Sequence, residues 1–448
     1  MAKVNAKDII CCHECGHLHR REEIPAGAKA SCSFCGNLLY RHVPDSVDRS
    51  LALYFTALLL FVIANSFPFL SLELSGKQVD SLLFSSGWVM YQFGMPELGV
   101  LIFITSILFP FLVIVGMLYL LVAMRFDVFP PFAGPIYRLI KGLQPWSLTG
   151  VFLLGTLISV VKLQGLANVI FGPALLAFAL LLFVVTWART SFNPEQLWSL
   201  SDVQTPEITP SPRDNDSLLH CHTCGLLLDS ETHSTEAHHC PRCETPMHHR
   251  IHNSLEKTWA LLLAACILFI PANVYPVMTV MQLGQGDAST ILGGVMTLID
   301  LGMWGLAMLV FIASIVVPMT KLLILGFLCI SVHKKSAWRP RDRTLLYRIT
   351  EVVGAWSMVD IFLVGLLSAL VSLGTLSTIT PEPGAIFFAG VVVITMFAAK
   401  SFDPRLIWDH ALVGEGGRSK DHLQTTESSQ ISDINLNQDI ANRKLQQE

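Results

Sequence analysis

The sequence contains few charged residues for its length. Only 14% of the 448 residues are Asp, Glu, Lys or Arg, whereas 52% are hydrophobic and the mean hydropathy is +0.54. Soluble domains carry about 25% charged residues, so this composition excludes an ordinary soluble globule. The net charge of −4 also argues against a nucleic-acid-binding protein, which would need an excess of Lys and Arg.

Several motifs of known enzyme classes are missing as well. The sequence has no Walker-type phosphate loop, no GxSxG elbow, no HExxH helix and no dinucleotide-binding fingerprint. No nucleophile–base arrangement is visible, so we expect a protein that is not an enzyme. A cleavable signal peptide is not expected either, because the first 50 residues are polar and cysteine-bearing rather than apolar.

Long uncharged stretches are present instead. Ser50–Leu72, Leu98–Met124 and Thr258–Gly286 each exceed the roughly 20 residues that cross a bilayer as a helix. The pattern predicts an all-α polytopic membrane protein. Its eight transmembrane helices are expected at 50–72, 98–124, 146–167, 171–189, 257–279, 303–331, 354–375 and 384–400.

Cysteine is abundant and regularly spaced. Eight of the eleven cysteines form four Cys-x-x-Cys pairs, and 15 or 16 residues separate the two pairs of each set. This spacing is typical of zinc sites with four thiolate ligands. The sequence predicts two structural zinc ions, with the ligands Cys12, Cys15, Cys32, Cys35, Cys221, Cys224, Cys240 and Cys243.

Other readings of these cysteines remain open. Disulfides, a redox dithiol or an iron site would use the same residues, nearby histidines could replace a ligand, and Cys11 could compete with Cys12. Thiolate ligands persist on the reducing side of a membrane, so we expect both zinc ribbons to be cytoplasmic.

The chain is a tandem duplication. A shift of 208 to 210 residues superposes one half on the other, including the cysteine pairs and several membrane motifs. Each half therefore predicts a small zinc ribbon followed by a four-helix transmembrane bundle. The expected units are ribbon 1 (8–45), membrane module 1 (50–198), a linker (199–219), ribbon 2 (220–252), membrane module 2 (257–410) and a disordered cytoplasmic tail (411–448).

The loops between the predicted helices differ in charge. The loops that follow the second and sixth helices hold nine Lys and Arg residues, whereas the four opposite loops hold Lys77 as their one basic residue. The positive-inside rule places the basic loops, the ribbons and both termini in the cytoplasm. Because each half has an even number of helices, the repeat is parallel rather than inverted.

Three charged residues lie within predicted membrane helices and away from the helix ends. Charges at mid-membrane cost about 2.5–3.5 kcal/mol on insertion scales, so Lys321, Asp360 and Lys162 are candidate functional residues. Lys321 and Asp360 are expected at a similar depth and could form a pair. Such a pair could serve a proton relay or only lock two helices together, and Lys162 could simply snorkel to the interface.

Longer motifs carry a family resemblance. Pro271-Ala-Asn-Val-Tyr-Pro-Val-Met, Ser289-Thr-Ile-Leu-Gly-Gly-Val, Trp356-Ser-Met-Val-Asp-Ile-Phe and Phe402-Asp-Pro-Arg-Leu-Ile-Trp-Asp resemble the paraquat-inducible protein A family, as does the duplicated ribbon-and-bundle plan. The resemblance covers about residues 8–410.

The resemblance implies a function that the residue pattern alone does not indicate. It implies a bacterial inner-membrane protein that works with a periplasmic MCE-domain protein and loads or extracts membrane lipid for a tunnel between the two membranes. A pure anchor or scaffold for the MCE protein is the alternative. An intramembrane enzyme acting on lipid or quinone is a further, less favoured one.

Overall fold

The computed structural model describes residues 4–5, 8–74, 77–147, 149–163, 168–201, 203, 207–208, 218–229, 239–248, 250–282, 285–300, 302–370 and 377–409. The predicted tail and most of the predicted linker lie outside these residues. The described part is mostly helical, as the sequence predicts. Its α-helices are α1 (Ser46–Ser66), α2 (Leu83–Gln92), α3 (Pro96–Phe103), α4 (Phe109–Arg125), α5 (Ala133–Leu143), α6 (Thr149–Leu163), α7 (Pro173–Ser191), α8 (Pro194–Ser199), α9 (Ser254–Val274), α10 (Ile291–Asp300), α11 (Trp304–Phe311), α12 (Val317–His333), α13 (Pro340–Gly354), α14 (Val359–Leu370) and α15 (Pro383–Ser401).

Eight helical runs in the described residues are long and apolar enough to cross a membrane. They confirm the predicted number and, to within a few residues, most of the predicted boundaries. The third and seventh runs are longer than expected, because they begin in α5 and α13 and continue through one short 3-10 turn. The runs are Ser46–Ser66, Pro96–Arg125, Ala133–Val160, Pro173–Ser191, Ser254–Val274, Trp304–His333, Pro340–Ser368 and Pro383–Ser401.

A π-helical segment interrupts the second span of each half. Ile104–Leu108 joins α3 to α4, and Ile312–Val316 joins α11 to α12. Pro110 and Pro318 lie two residues after these segments, and proline removes a backbone donor from the helical ladder. The wider turn therefore accommodates the proline, and the span continues without a break.

Short strands form the ribbons and two further sheets. The strands are β1 (Val4–Asn5), β2 (Ile9–Cys11), β3 (Leu18–Arg20), β4 (Lys29–Ser31), β5 (Leu38–Arg41), β6 (Leu70–Leu74), β7 (Lys77–Ser81), β8 (Asn168–Phe171), β9 (Glu207–Ile208), β10 (Leu218–His220), β11 (Leu227–Asp229), β12 (Met278–Gln282), β13 (Gln285–Ser289) and β14 (Ser377–Pro381). The ribbon hairpins pair β2 with β3, β4 with β5 and β10 with β11, and β1 pairs with β9. Two three-stranded antiparallel sheets, in the orders β7-β6-β8 and β13-β12-β14, follow α1 and α9 and were not predicted.

The duplication is visible in individual hydrogen bonds. The buried hydroxyl of Ser46, at the start of α1, donates to the carbonyl of Ser191 at the end of α7 over 2.8 Å. Ser254 makes the equivalent bond from α9 to the carbonyl of Ser401 over 2.6 Å. Since α1 and α9 begin directly after the ribbons, this end of each bundle is the ribbon end, and the three-stranded sheets lie at the far end.

The two halves join through their third spans. Helix α6 packs along α14, where the rings of Phe152 and Phe362 meet edge to face with centroids 5.3 Å apart. A Cβ on Gly155 would lie 3.3 Å from Cβ of Phe362, so the glycine allows close helix contact. A single apolar core with residues of both halves surrounds this contact.

A second close contact exists in the first half alone. Helices α2 and α3 form a hairpin in which a Cβ on Gly99 would lie 2.5 Å from the carbonyl oxygen of Gly87. The repeat partners of these glycines are the larger residues Ala307 and Val295. The first half therefore depends on a close backbone contact between α2 and α3, and the second half carries side chains at both equivalent positions.

Replacing Gly99 with alanine should destabilise the protein. The added methyl group meets a backbone atom, which cannot move aside cheaply, so we expect a loss of about 1–3 kcal/mol. Gly305→Ala is the control, because nothing lies within 4 Å of its added Cβ. Thermal unfolding of the purified protein in detergent measures both, and equal melting temperatures for the two variants would contradict the contact.

Candidate metal centres and an intramembrane polar site

Four tight turns present the eight cysteines. In each turn a backbone N–H four residues on donates to the carbonyl of the first cysteine, as from Gly16 to Cys12 over 2.8 Å. Gly16, Gly36 and Gly225 adopt positive φ angles of 74–75° there, which glycine tolerates. The fourth turn places Glu244 at this position with φ of 57°.

The turns gather the thiols into two clusters. The Sγ atoms of Cys12 and Cys35 lie 3.4 Å apart and those of Cys15 and Cys32 lie 3.5 Å apart. In the second cluster, Cys221 with Cys243 and Cys224 with Cys240 lie 3.4 Å apart. Within each cluster all four sulfur atoms lie within 4.8 Å of one another, so each could hold one metal ion.

The donor set fits a closed zinc site. Four thiolates around one Zn²⁺ at about 2.3 Å would stand at comparable separations and leave no open position for catalysis. The disulfide reading is not supported, because the cysteines of the described chain are free. Cys11 stays outside the cluster, and its thiol lies 3.5 Å from the carbonyl oxygen of Gly16.

A histidine that was not predicted as a ligand lies next to the first cysteine cluster. Nε2 of His19 lies 3.1 Å from Sγ of Cys32, on the strand that follows the first turn. This nitrogen is placed to hydrogen-bond the sulfur, and such a bond stabilises the negative charge of a thiolate ligand. The sequence alone could not single it out among the many histidines of the ribbons.

Each ribbon packs on the half to which it does not belong. Ribbon 1 lies on α13 of the second half, where Arg348 pairs with Glu14 and donates to the carbonyl of Cys35 over 3.1 Å. Arg341, at the start of α13, donates to the carbonyl of Ser33 over 2.8 Å. The first cysteine cluster shares an apolar core with α12 and α13 rather than with the first half.

Ribbon 2 makes the reciprocal contact with α5 of the first half. Lys141 donates to the carbonyls of His222 and Thr223 over 3.1 Å, and Arg138 donates to the carbonyl of Glu244 over the same distance. A Cβ on Gly134 would lie 2.9 Å from the backbone of Cys243, so α5 touches the second cluster directly. Nothing in the sequence predicts this crossed arrangement.

A chain of polar side chains connects the two ribbons. Nε2 of His13 lies 3.2 Å from Nδ1 of His222, whose Nε2 lies 3.1 Å from the guanidinium of Arg405. Arg405 in turn forms a 3.0 Å ion pair with Asp403, and both side chains are almost fully buried. The chain therefore runs from ribbon 1 through ribbon 2 to the end of α15.

Burial and charge set the protonation states of this chain. Burial, followed by the charges of Lys141 and Arg405, lowers the pKa of His13 to about 4. Burial and Arg405 lower the pKa of His222 to about 3. Burial by itself would raise the pKa of Asp403, but its hydrogen bond and ion pair with Arg405 hold it below the usual value. At neutral pH both histidines are thus neutral and Asp403 is ionised.

The second candidate site lies inside the membrane-spanning bundle. Lys321 on α12 is 3% exposed, and its Nζ donates to Oγ1 of Thr395 on α15 over 3.1 Å. A Cβ on Gly354 would lie 2.8 Å from this Nζ, so the glycine leaves room for the ammonium group. Thr395 was missed from the sequence, because a lone hydroxyl in an apolar helix most often bonds its own backbone.

A cavity of about 430 Å³ adjoins Lys321 between the two halves. Its walls combine apolar side chains with two more ionisable residues, Glu351 and Lys400. The residues that matter here are Val151, Leu154 and Leu182 from the first half and Lys321, Glu351, Met396 and Lys400 from the second.

The other two predicted intramembrane residues are placed by their backbone alone. Asp360 lies in α14 and Lys162 in α6, and the side chains of both lie outside the described part of the chain. The Lys321–Asp360 pair therefore stays a prediction.

The sequence matches a known family in both halves. A profile described as "Paraquat-inducible protein A" matches residues 47–202 and again residues 255–411. The chain belongs to this family. Each matched segment contains one complete four-span module, so the family unit is the repeat itself. No solved structure gives a significant match.

Curated relatives span nearly the whole chain. Intermembrane transport protein PqiA of Escherichia coli (strain K12) is 32% identical over 410 residues, or 90% of this chain and 96% of the relative. Lipophilic envelope-spanning tunnel protein A of the same strain is 31% identical over 405 residues, or 90% and 91%. A probable intermembrane transport protein of Haemophilus influenzae is 27% identical over 411 residues, or 89% and 95%. With its eight apolar runs, this member of the family is a multi-pass membrane protein.

The metal content of the purified protein tests the two clusters. We expect two zinc equivalents per chain, about one in Cys12→Ser, and two in the control Cys11→Ser, because Cys11 lies outside the cluster. Elemental analysis by mass spectrometry separates zinc from iron. The assignment of ligands would be contradicted if Cys11→Ser loses metal or if Cys12→Ser keeps both zinc equivalents.

Replacing Asp403 with asparagine should destabilise the ribbon junction at pH 7. The change leaves Arg405 buried without a counter-ion, which costs about 3–5 kcal/mol. The pKa of Asp403 is lower in the folded protein than in the unfolded chain. The stabilisation that its carboxylate gives the wild-type protein is therefore present at pH values above the unfolded-state pKa. It is lost as the pH falls through the folded-state pKa.

Thermal unfolding at pH 7 measures the loss. Asp342→Asn is the matched control, since its pair with Arg339 is exposed and contributes little. A melting temperature for Asp403→Asn equal to that of the control would show that the buried pair does not hold the junction.

Proposed function

We propose that this protein is the inner-membrane subunit of an MCE-type intermembrane lipid transport system. In this role it loads or extracts phospholipid at the inner membrane for a periplasmic MCE-domain tunnel and so supports envelope integrity. The names of two relatives, an intermembrane transport protein and an envelope-spanning tunnel protein, support a transport role. The protein is proposed to act without catalysing a covalent reaction.

The observation that carries the proposal is the buried ammonium group of Lys321. A lysine in a membrane helix is costly, and here it faces a cavity between two halves rather than a lipid-exposed surface. Apolar walls with a few charged groups suit an amphiphilic ligand. A cavity between repeated halves is also where rocking of one module against the other would change access.

Charge and chemistry support the proposed orientation. The ribbon end holds the Lys and Arg residues at the end of α4, on α5, between α12 and α13 and on α13, so the positive-inside rule supports cytoplasmic ribbons and termini. Zinc bound by four thiolates is compatible with that reducing compartment. Both ions are proposed to be structural, since a ribbon of this size has little apolar core and metal binding supplies its folding energy. The proposed ribbons, membrane modules, linker and tail have the boundaries predicted from the sequence.

Complementation of a deletion strain tests the role of the polar site. We expect Lys321→Ala to lose function at matched membrane abundance, because Thr395 and the cavity lose their cation. Asp360→Asn should also lose function if the predicted pair works as a proton relay. Survival under envelope stress is the readout, with co-purification of the MCE protein measured in parallel.

The exposed residues Lys257 and Asp300 provide matched controls. Lys257→Ala and Asp300→Asn make the same chemical changes outside the cavity and should complement fully. If Lys321→Ala and Asp360→Asn also complement fully, the relay is wrong. The scaffold alternative, in which the protein only anchors the MCE partner, would then be preferred.

A further inference from the structure

A second cavity, of about 600 Å³, lies at the ribbon end of membrane module 2. It is formed between the first turns of α9 and the end of α12, beside the turn that follows α15. It is distinct from the cavity at Lys321, because no residue lines both. The lining residues used below are Glu256 and Trp259 from α9, Ile330 and His333 from α12, and Lys334, which directly follows α12.

The duplication supplies an internal comparison for this position. In the first half, Arg125 at the end of α4 forms a 2.7 Å ion pair with Asp48 in the first turn of α1. A shift of 208 residues places His333 at the position of Arg125, and the same shift places Glu256 at that of Asp48. Within the described chain, neither His333 nor Glu256 forms an ion pair. The second half therefore has a cavity with unpaired polar groups where an ion pair joins the two helices of the first half.

Charges of both signs line this cavity. Among the described residues around it, Glu256 supplies the one carboxylate and Lys334 the one ammonium group, and His333 can add a ring N–H. Lys334 also has no ion pair in this part of the chain. The adjacent Lys257 and Lys335 do not line the cavity. An occupant with one negative and one positive group would match both charges, whereas a purely anionic occupant would face the carboxylate.

Apolar side chains continue from the cavity along both helices. On α9, Trp259 and Leu263 lie on the same face as Glu256, and on α12 Phe327 and Ile330 share a face. All four apolar residues are exposed. Both helices belong to membrane-spanning runs, so these side chains meet lipid chains. Because tryptophan is enriched where a membrane helix meets the headgroups, the cavity lies at headgroup level.

We propose that this cavity binds the headgroup of a phospholipid that carries a phosphate and a primary ammonium group, as phosphatidylethanolamine does. Lys334 and His333 donate to the phosphate oxygens, and Glu256 accepts from the ammonium group. The acyl chains follow the exposed faces of α9 and α12 into the leaflet at the ribbon end. The headgroup then bridges these two helices, as the Arg125–Asp48 pair bridges α1 and α4.

This site does not depend on lipid transport through the Lys321 cavity. The lipid is proposed as a bound component of module 2 rather than as transported cargo, and its binding is measured without a transport assay. A failure of one proposal therefore leaves the other standing.

Native mass spectrometry of the full-length protein tests the site. The protein is released from nanodiscs that contain equal amounts of phosphatidylethanolamine and phosphatidylglycerol, and the retained lipid is identified by its mass. We expect one more molecule of phosphatidylethanolamine than of phosphatidylglycerol per chain. Glu256→Gln should weaken this preference about tenfold or more, since a hydrogen bond to a charged group is lost.

A double variant closes the cavity while both signs of charge are kept. Glu256→Asp with His333→Arg recreates the residue pair of the first half, so an ion pair should take the place of the headgroup. Asp48→Asn is the matched control, because it removes a carboxylate at the equivalent position of the first half. Its ion pair is exposed and contributes little to stability, and thermal unfolding checks that every variant folds.

The proposal is supported if the wild-type protein and Asp48→Asn prefer phosphatidylethanolamine while Glu256→Gln and the double variant do not. Equal retention of the two lipids by the wild-type protein overturns it, as does a preference for phosphatidylglycerol. A preference for phosphatidylethanolamine that either Glu256→Gln or the double variant keeps in full also overturns it.

Discussion

Cationic side chains of one half hold the ribbon of the other, and the arrangement of the molecule depends on this exchange. Arg348 of the second half binds the backbone and an acidic side chain of ribbon 1, while Lys141 of the first half binds the backbone of ribbon 2. Backbone carbonyls in the cysteine turns are available as acceptors because the turns are too tight to pair them all. The duplicated halves are therefore linked at the ribbon end as well as along α6 and α14.

This exchange links the first cysteine cluster to the membrane site through one helix. Helix α13 carries Arg348 at ribbon 1 and ends at Gly354 beside Lys321. Glu351 and Lys400 line the Lys321 cavity and also a smaller one that reaches His13 and His222. A shift of ribbon 1 on α13 would thus move the wall of the polar site.

Some of this structure is readable from the sequence because it is local or strongly periodic. Cys12 and Cys15 lie in one turn, so their spacing predicts a cluster, and the long apolar runs predict the spans. The sheets were missed because β6 pairs with β8 about 100 residues away, and five-residue strands between spans leave a weak pattern.

The crossed docking could not be predicted for a different reason. Arg138 and Arg348 occupy equivalent positions of the repeat, so the sequence offers each ribbon two similar docking helices. Only the packing of the whole molecule chooses between them. The same reasoning applies to Thr395, whose role depends on the depth and direction of Lys321 on another helix.

A cross-linking experiment tests the crossed docking most directly. Ser33→Cys is combined with Arg341→Cys, or with Pro131→Cys at the equivalent position of the first half, after Cys11, Cys266 and Cys329 are replaced by alanine. A short bismaleimide is added, and a protease site placed between residues 209 and 217 is then cut. The crossed arrangement predicts that the Ser33–Arg341 pair keeps the two fragments joined on a denaturing gel. The crossed arrangement would be contradicted if the two fragments separate for the Ser33–Arg341 pair while the Ser33–Pro131 pair cross-links efficiently within the first fragment.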